Sequence, residues 1–319
     1  GVRMLGPPDS HRFLLGRGMV SDDTEHTCLV LRSLLESNGN PAEFQRRFAR
    51  RLRWWLLSLP AGTGLATARA VFKLLLGVPP TRSGVYSAGN GPAMRAAILG
   101  VMLPLEEIRP FVDASTTLTH TDPKANWGAH AIALAAYLAS RSEYVAPNEY
   151  LDLVKGELAN DSADEFLSLM ECTISSLMEF GSTAEFSSRI CSRRGVSGNV
   201  YQTVPVTIHC WLRNQRNFRE AIREVIRCGG DADTTAAIVG GIVGASVGPQ
   251  GIPADWQQGL RDWPVSVSSL HDLANLAIET TISRENIQSR LHFPGQIVRN
   301  LFFLAIVLFH GFRRLFPPF

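Results

Sequence analysis

The chain is 319 residues long, 45% hydrophobic and 19% charged, with a formal net charge of +2. That composition suffices for one large domain or two modest ones, and the near-neutral charge excludes the strongly basic footprint expected of a sequence-specific nucleic-acid binder. The five cysteines (Cys28, Cys172, Cys191, Cys210 and Cys228) are scattered without a CxxC pair, and no basic-then-apolar leader opens the chain. Both features argue for a reducing, cytoplasmic setting and against structural zinc and disulfides.

In chain order, residues 1–17 read as a loop. Asn40 is placed to cap a helix, Pro41 suits its first position, Glu43 completes the capping pattern, and the apolar spacing runs to Leu57 before Pro60. Helical spacing recurs over Ala93–Met102, Leu105–Leu118, Pro123–Ser140, Asn148–Leu158, Asp164–Phe180, Val200–Leu212, Phe218–Cys228 and Thr234–Val247. Alternating strand patterns are missing, and short Gly, Pro, Asn and Ser connections separate the segments. The expected fold is all-α: a single compact domain of ten or more helices over residues 1–290, followed by an apolar C-terminal helix or tail over 291–319. Three glycines crowd the TTAAIVGGIVGAS segment from Thr234. Each costs about 1 kcal/mol in a helix interior, so close backbone packing is expected there, with this as the innermost helix. The uninterrupted apolar run Leu301–Phe309 is too short for a spanning helix, which needs about 20 apolar residues. Arg299, Asn300, His310, Arg313 and Arg314 bracket it. The tail is expected to pack on the body, with contact to another subunit or a membrane surface as the alternative.

Two acidic clusters carry the chemistry: Ser21-Asp22-Asp23-Thr24-Glu25, and Asp231-Ala232-Asp233-Thr234 after Gly229-Gly230. Each stands at the start of a predicted helix, where unpaired N–H groups favour carboxylates. Two ordinary N-caps are therefore the simplest reading of either one alone. A cap needs only one short polar side chain, however, and the second cluster opens the Gly/Ala-rich helix, so its carboxylates are expected to lie deep. Buried carboxylates require compensation. Aspartates with hydroxyls, and no cysteine, suit hard cations such as Mg²⁺ or Mn²⁺, and four carboxylates could neutralise two of them.

SDDTEHT and GGDADTTAAIVGGIVGA resemble the paired metal motifs of the ADP-ribosylglycohydrolase family, which includes dinitrogenase-reductase-activating glycohydrolases and ADP-ribosyl-acceptor hydrolases. Between them, in the same order, Gly89-Asn90-Gly91-Pro92-Ala93-Met94-Arg95 resembles a GNGxAMR segment. Thr119-His120 with Pro123 resembles a THxxP segment, and Ser197–Pro205 resembles the segment lining the nucleotide end of the pocket. The resemblance spans about residues 14–250. It implies an all-α fold, two Mg²⁺ (or Mn²⁺) ions and ADP-ribose, or an ADP-ribosylated substrate, as the recognised group. Residue by residue, it makes Ser21, Asp22, Asp23, Asp231, Asp233 and Thr234 metal ligands, with Asp22 or Asp23 also able to take a proton. It puts Gly89, Asn90, Gly91, His120, Ser197, Gly198, Tyr201 and Gly230 against the substrate, His120 at the phosphates. The family's opening helix and GDALG-like loop, which supplies a glutamate near the metals, has no counterpart among the 20 residues before Ser21; the resemblance thus implies an N-terminally shortened member.

The implied reaction is hydrolysis of the N- or O-glycosidic bond between ADP-ribose and an acceptor, through an oxocarbenium-like transition state attacked by a positioned water. The alternatives are a non-catalytic binder of ADP-ribose or of a partner, and a metal-dependent nucleotide pyrophosphohydrolase. The acceptor stays open. Of the lesser candidates, His26 is read as a helix-face histidine and His209 as a core histidine. Arg95 is read as half of a structural ion pair, with a phosphate contact as the alternative. Tyr201 either stacks on adenine or packs, and the arginines at 46, 47, 50, 51 and 53 form a solvated face.

Overall fold

The computed structural model describes residues 17–60, 62–283 and 293–313. Among these are fifteen α-helices and two short 3₁₀ turns, and β pairing is limited to isolated bridges. The all-α expectation holds. The first helix, α1 (Asp22–Leu35), is followed by α2 (Pro41–Leu57). Asn40 caps α2 as its sequence predicts, accepting from the Ala42 and Glu43 amides at 2.9 and 3.0 Å. After α3 (Leu65–Leu75), the predicted Ala93–Met102 helix is broken at Ala96 into a 3₁₀ turn, Ala93–Arg95, and α4 (Ala97–Met102).

The centre of the molecule belongs to α6 (Pro123–Arg141) and α10 (Val200–Arg213). Residues 128–136 of α6 and 203–212 of α10 are buried without interruption. Against them pack α4, α5 (Leu105–Thr117), α8 (Asp164–Glu179) and α12 (Ala232–Gly251). The remaining elements, α7 (Pro147–Leu158), α9 (Thr183–Ile190), α11 (Phe218–Arg227) and α13 (Ala254–Gly259), complete the shell. The expectation that α12 is innermost is corrected. Its core face is Thr234, Thr235, Ile238, Val239, Ile242 and Val243, whereas Gly241 is exposed. The closest backbone approaches lie elsewhere. A Cβ on Gly100 of α4 would fall 1.8 Å from the Ala133 carbonyl oxygen of α6, and one on Gly128 of α6 would fall 2.1 Å from Val200 of α10. Glycine is needed where two central helices cross, and composition alone does not reveal which glycines those are. The regular part of α12 ends at Val247, because Gly248 turns to φ +65° before Pro249.

Two further helices close over α1. Leu273 and Ala277 of α14 (Val267–Ser283) bury against Leu31. The C-terminal helix α15 (Phe293–Arg313) docks on the body: Asn300, fully buried, donates to the carbonyl and hydroxyl oxygens of Ser58 at the end of α2, both at 2.9 Å. The outer face of α15 exposes Val298, Leu301, Phe302 and Leu308. Among the described residues no helix is long and apolar enough to cross a membrane. All five cysteines stand unpaired.

Candidate active site

Among the described residues six helices are capped by the side chain before them, from Asn40, Asp122, Ser182, Asn199, Asn217 and Ser266. The two acidic clusters occupy the same kind of position and cap nothing. Ser21 precedes α1 and Asp231 precedes α12, and neither side chain reaches a first-turn amide. The Ser21 hydroxyl instead donates to Asp23 Oδ2 at 2.6 Å, and Asp231 Oδ2 accepts from Asn90 Nδ2 at 2.7 Å. The N-cap reading therefore fails for both, although capping would be the cheapest use of these residues.

The two clusters face one another. Burial pushes the Asp22 carboxyl up to about 7, helped by the charges of Asp23 and Asp233. Burial likewise raises Asp23 to about 6; Asp233 and Asp231 add to this, while the hydroxyls of Ser21 and Thr234 oppose it. Asp231 is raised by burial and by Asp233, and Asn90 pulls it back. Asp23 is 1% exposed, Asp22 and Asp231 are half-buried, and Asp233 is exposed, so the expectation that the second cluster lies deep is corrected for Asp233. Asp23 Oδ1 is buried without a hydrogen-bond partner. A buried oxygen left without a donor, amid carboxylates that repel one another, fits the oxygen-rich surroundings of a hard cation. Among the described residues no three carboxylate, histidine or cysteine side chains already stand in ligating geometry. Asp23 and Asp231 are instead turned toward Ser21 and Asn90.

Three glycine-bearing turns assemble around Asp231. Gly195, Gly229 and Gly230 all have positive φ, and a Cβ on Gly230 would fall 2.0 Å from the Val196 carbonyl oxygen. That close approach lets the Asp231 amide donate to Val196 O at 2.8 Å. Gly230 thus has a packing reason of its own. The next turn, Ser197-Gly198-Asn199, pairs with the Gly89–Asn90 turn: the Asn90 amide donates to Gly198 O and the Val200 amide to Ala88 O, each at 2.9 Å. Gly198 sits beside both acidic and amide groups, its Cβ position 3.5 Å from Asp231 Oδ2 and 3.7 Å from Asn90 Oδ1. Thr203 completes this frame, accepting from Asn90 at 3.0 Å and donating to Ser197 O at 3.1 Å. Nothing in its sequence context singles Thr203 out. Tyr201 packs on Phe166, ring centres 5.7 Å apart, and Lys124 lies 4.4 Å over its ring.

Behind the Gly89–Gly91 turn stands His120, 2% exposed. Its ring touches both glycines, whose Cβ positions would fall 2.9 and 3.0 Å from it. Arg95 donates to Thr119 Oγ1 at 2.8 Å, and Thr119 Oγ1 lies 2.8 Å from His120 Nδ1. The Thr119 hydroxyl can donate to Nδ1 or accept from it, and Nε2 faces the glycine turn. Burial and the Arg95 charge hold His120 down at about 3, so the ring is neutral. Arg95 is itself fully buried and forms no ion pair among the described residues. Its partners are Ser115, Thr119 and His26, with the Phe48 ring 5.1 Å away. The ion-pair expectation is corrected: burial draws this guanidinium down to about 9, yet at neutral pH it remains a cation held by neutral acceptors. His26 is corrected from a helix-face residue to a fully buried one, wedged against Trp55 at 4.3 Å. His209 is the core histidine expected, stacked on Phe186. The arginine-rich face of α2 is less solvated than its spacing suggests, because Arg51 is buried and paired with Glu36 at 2.6 Å.

The model of the ADP-ribosylglycohydrolase family matches residues 1–286. The chain belongs to the ADP-ribosylglycohydrolase family. Family membership puts it among glycosidase-type hydrolases. It is 32% identical over 256 residues to an uncharacterised protein of Archaeoglobus fulgidus, covering 78% of this chain and 77% of that one. It is 28% identical over 290 residues to the ADP-ribosylhydrolase ARH3 of Homo sapiens, covering 79% and 78%. The ADP-ribosyl-[dinitrogen reductase] glycohydrolase of Rhodospirillum rubrum is 25% identical over 245 residues, covering 75% and 72%. A solved ADP-ribosylglycohydrolase-related protein complex shares the fold, with a TM-score of 0.60 at 24% identity over 84% of this chain and 82% of that one. The all-α fold of the family and two acidic clusters that face one another thus occur in one chain.

Proposed function

We propose that this site hydrolyses the glycosidic bond between ADP-ribose and an acceptor, with two divalent cations, Mg²⁺ or Mn²⁺, held by Ser21, Asp22, Asp23, Asp231, Asp233 and Thr234. The observation that carries the proposal is the meeting of two acidic clusters that raise each other's carboxyl pKa while capping neither helix. When bound, the cations supply compensating charge and acidify and orient a water. The chain's own residues do the rest. Asp22 or Asp23 would accept a proton from the attacking water; their values near 7 and 6 belong to the cation-free site, and a bound cation would lower both. Asn90 fixes the rotamer of Asp231 through its 2.7 Å bond. The turns at Gly89, Asn90 and Gly91 and at Ser197 and Gly198 offer a floor with little side chain, where a sugar or phosphate can approach the backbone. His120, neutral, presents Nε2 at the glycine turn and serves as a hydrogen-bonding group for the substrate rather than as a countercharge. Tyr201, fixed by Phe166 and Lys124, shapes the nucleotide end, and Gly230 keeps the Asp231 turn against Val196.

Calorimetric titration of ADP-ribose into the chain tests the reading, run first with saturating Mg²⁺ and then with EDTA. Binding that requires Mg²⁺ is expected. Metal-independent binding would remove the cations from the ligand site. Product analysis then separates glycosidic cleavage, which releases ADP-ribose, from pyrophosphate cleavage, which releases AMP.

A further inference from the structure

The family match ends at residue 286, and α15 lies wholly beyond it. This helix nevertheless reaches the acidic turn at the start of α1. Arg299, 8% exposed, donates from Nη2 to the Val20 carbonyl oxygen at 2.6 Å. The same guanidinium grips Asp262 with two bonds, Nε to Oδ1 at 3.1 Å and Nη2 to Oδ2 at 2.7 Å. Asp262 Oδ2 in turn accepts from the Val20 amide at 3.0 Å. Both backbone polar groups of the residue immediately before Ser21 are thus held by one ion pair. On the other side of the motif, Glu25 is 4% exposed and accepts from Arg299 Nη1 at 3.3 Å, from Gln296 and from Trp55. Ser21, Asp22 and Asp23 are bracketed between Val20 and Glu25, and the two ends of that bracket meet at Arg299.

We propose that α15 is a positioning element for the acidic motif, acting through the Arg299–Asp262 pair on Val20 and through Arg299 on Glu25. The geometry suits this role better than simple helix docking. Docking is already provided by Asn300 on Ser58, and a docking contact has no need to satisfy both the N–H and the C=O of a loop residue. The carboxylates of the motif repel one another, so the turn that carries them tends to open unless its backbone is fixed. Planar, bidentate and always charged, arginine can hold a carboxylate and a carbonyl at once; lysine cannot. Arg299 acts in this proposal through Val20, Asp262 and Glu25, and so on the placement of Ser21, Asp22 and Asp23. The consequence for cation binding rests on the function proposed above, whereas the restraint of the turn does not.

The test compares Arg299→Gln with Ser58→Ala in the full chain. Ser58→Ala removes one acceptor of Asn300, whose Oδ1 accepts from Arg299 Nη1 at 3.0 Å, and loosens α15 while leaving every direct partner of Arg299 in place. Two quantities are read for each variant: amide hydrogen exchange over residues 18–25, and Mn²⁺ affinity by electron paramagnetic resonance. Arg299→Gln is expected to speed exchange at Val20 and the motif and to weaken Mn²⁺ binding about 10- to 100-fold, the usual effect of removing an outer support of a metal ligand. Arg299→Lys is expected to fail as a rescue. Ser58→Ala is expected to lower the melting temperature while leaving both readouts near the parent values. Equal effects of the two variants, or unchanged exchange in Arg299→Gln, would overturn the proposal. If the parent chain binds no Mn²⁺ while exchange still responds to Arg299→Gln, the cation reading fails and the positioning role stands.

Discussion

Asp231 and the Ser21–Asp23 turn face each other across the site, and they are held by different means. Asp231 is fixed locally, by glycine turns that let backbone meet backbone: Gly230 against Val196, Gly198 against Asn90. The Ser21–Asp23 turn is fixed from far along the chain, by side chains at 262 and 299. The first kind of support leaves no room for an added atom at Gly230 but needs no charge. The second tolerates small steric change but depends on an intact ion pair. The same contrast runs through the electrostatics, since Asp231 has an amide donor of its own in Asn90, whereas one oxygen of Asp23 has none.

The largest break in this comparison comes from the carboxylates themselves. Asp231→Asn and Asp23→Asn are each expected to lower turnover by about 100-fold or more, because a cation site at the reaction centre supplies several kcal/mol. The check is turnover measured across a Mg²⁺ titration; an unchanged Mg²⁺ dependence would remove that residue from the ligand set. Next come the glycines. Gly230→Ala places a methyl group 2.0 Å from a backbone oxygen at a φ of +74°, so a loss of about 2–4 kcal/mol in denaturant unfolding is expected. Gly198→Ala meets only ordinary contacts, 3.5 Å from Asp231 and 3.7 Å from Asn90. It should fold normally and weaken ADP-ribose binding, and equal stability losses in the two variants would dissolve the distinction between frame and floor.

The smallest effect sharpens the electrostatic side. In the folded protein Asp22 holds its proton up to about 7, against 3.8 for an ordinary aspartate. Its contribution to stability is therefore full below about pH 4 and is lost as the pH rises toward 7. At pH 7.5 in EDTA, Asp22→Asn removes a charge that burial disfavours first and Asp23 and Asp233 repel second, and should raise the melting temperature by a few degrees, about 1–3 kcal/mol. The gain should fade toward pH 4 and reverse when Mg²⁺ is added. A gain independent of pH would mean that the ionised Asp22 carboxylate is not what costs the fold stability.

Much of this was readable from the residues. The apolar spacing located most of the inner helices, Asn40 announced its cap, and the small-residue helix after Asp231 stood out. The acidic clusters were visible as clusters, but the sequence could not distinguish caps from a site, because a cap and a ligand use the same residue types at the same helix position. The first-turn amides, which neither Ser21 nor Asp231 reaches, exclude the caps. Helices α3, α9, α13 and α14 escaped notice; of these α9 and α13 are short, 8 and 6 residues.

The sequence by itself determined the all-α architecture, the motifs and the chemical character of the site: hard oxygen donors, no thiolates, glycines where backbone must come close. These are local properties, written within a turn or two of chain. The tertiary structure decided which glycines are crossings, since Gly100 and Gly128 are marked by their partners rather than by their neighbours. It also decided that Arg95 is a buried cation without a carboxylate, that His120 stays neutral, and that residues 262 and 299 support residues 20 and 25. Burial and long-range pairing set those properties, and neither leaves a periodic trace in sequence, because the groups that meet are separated by as many as 279 positions.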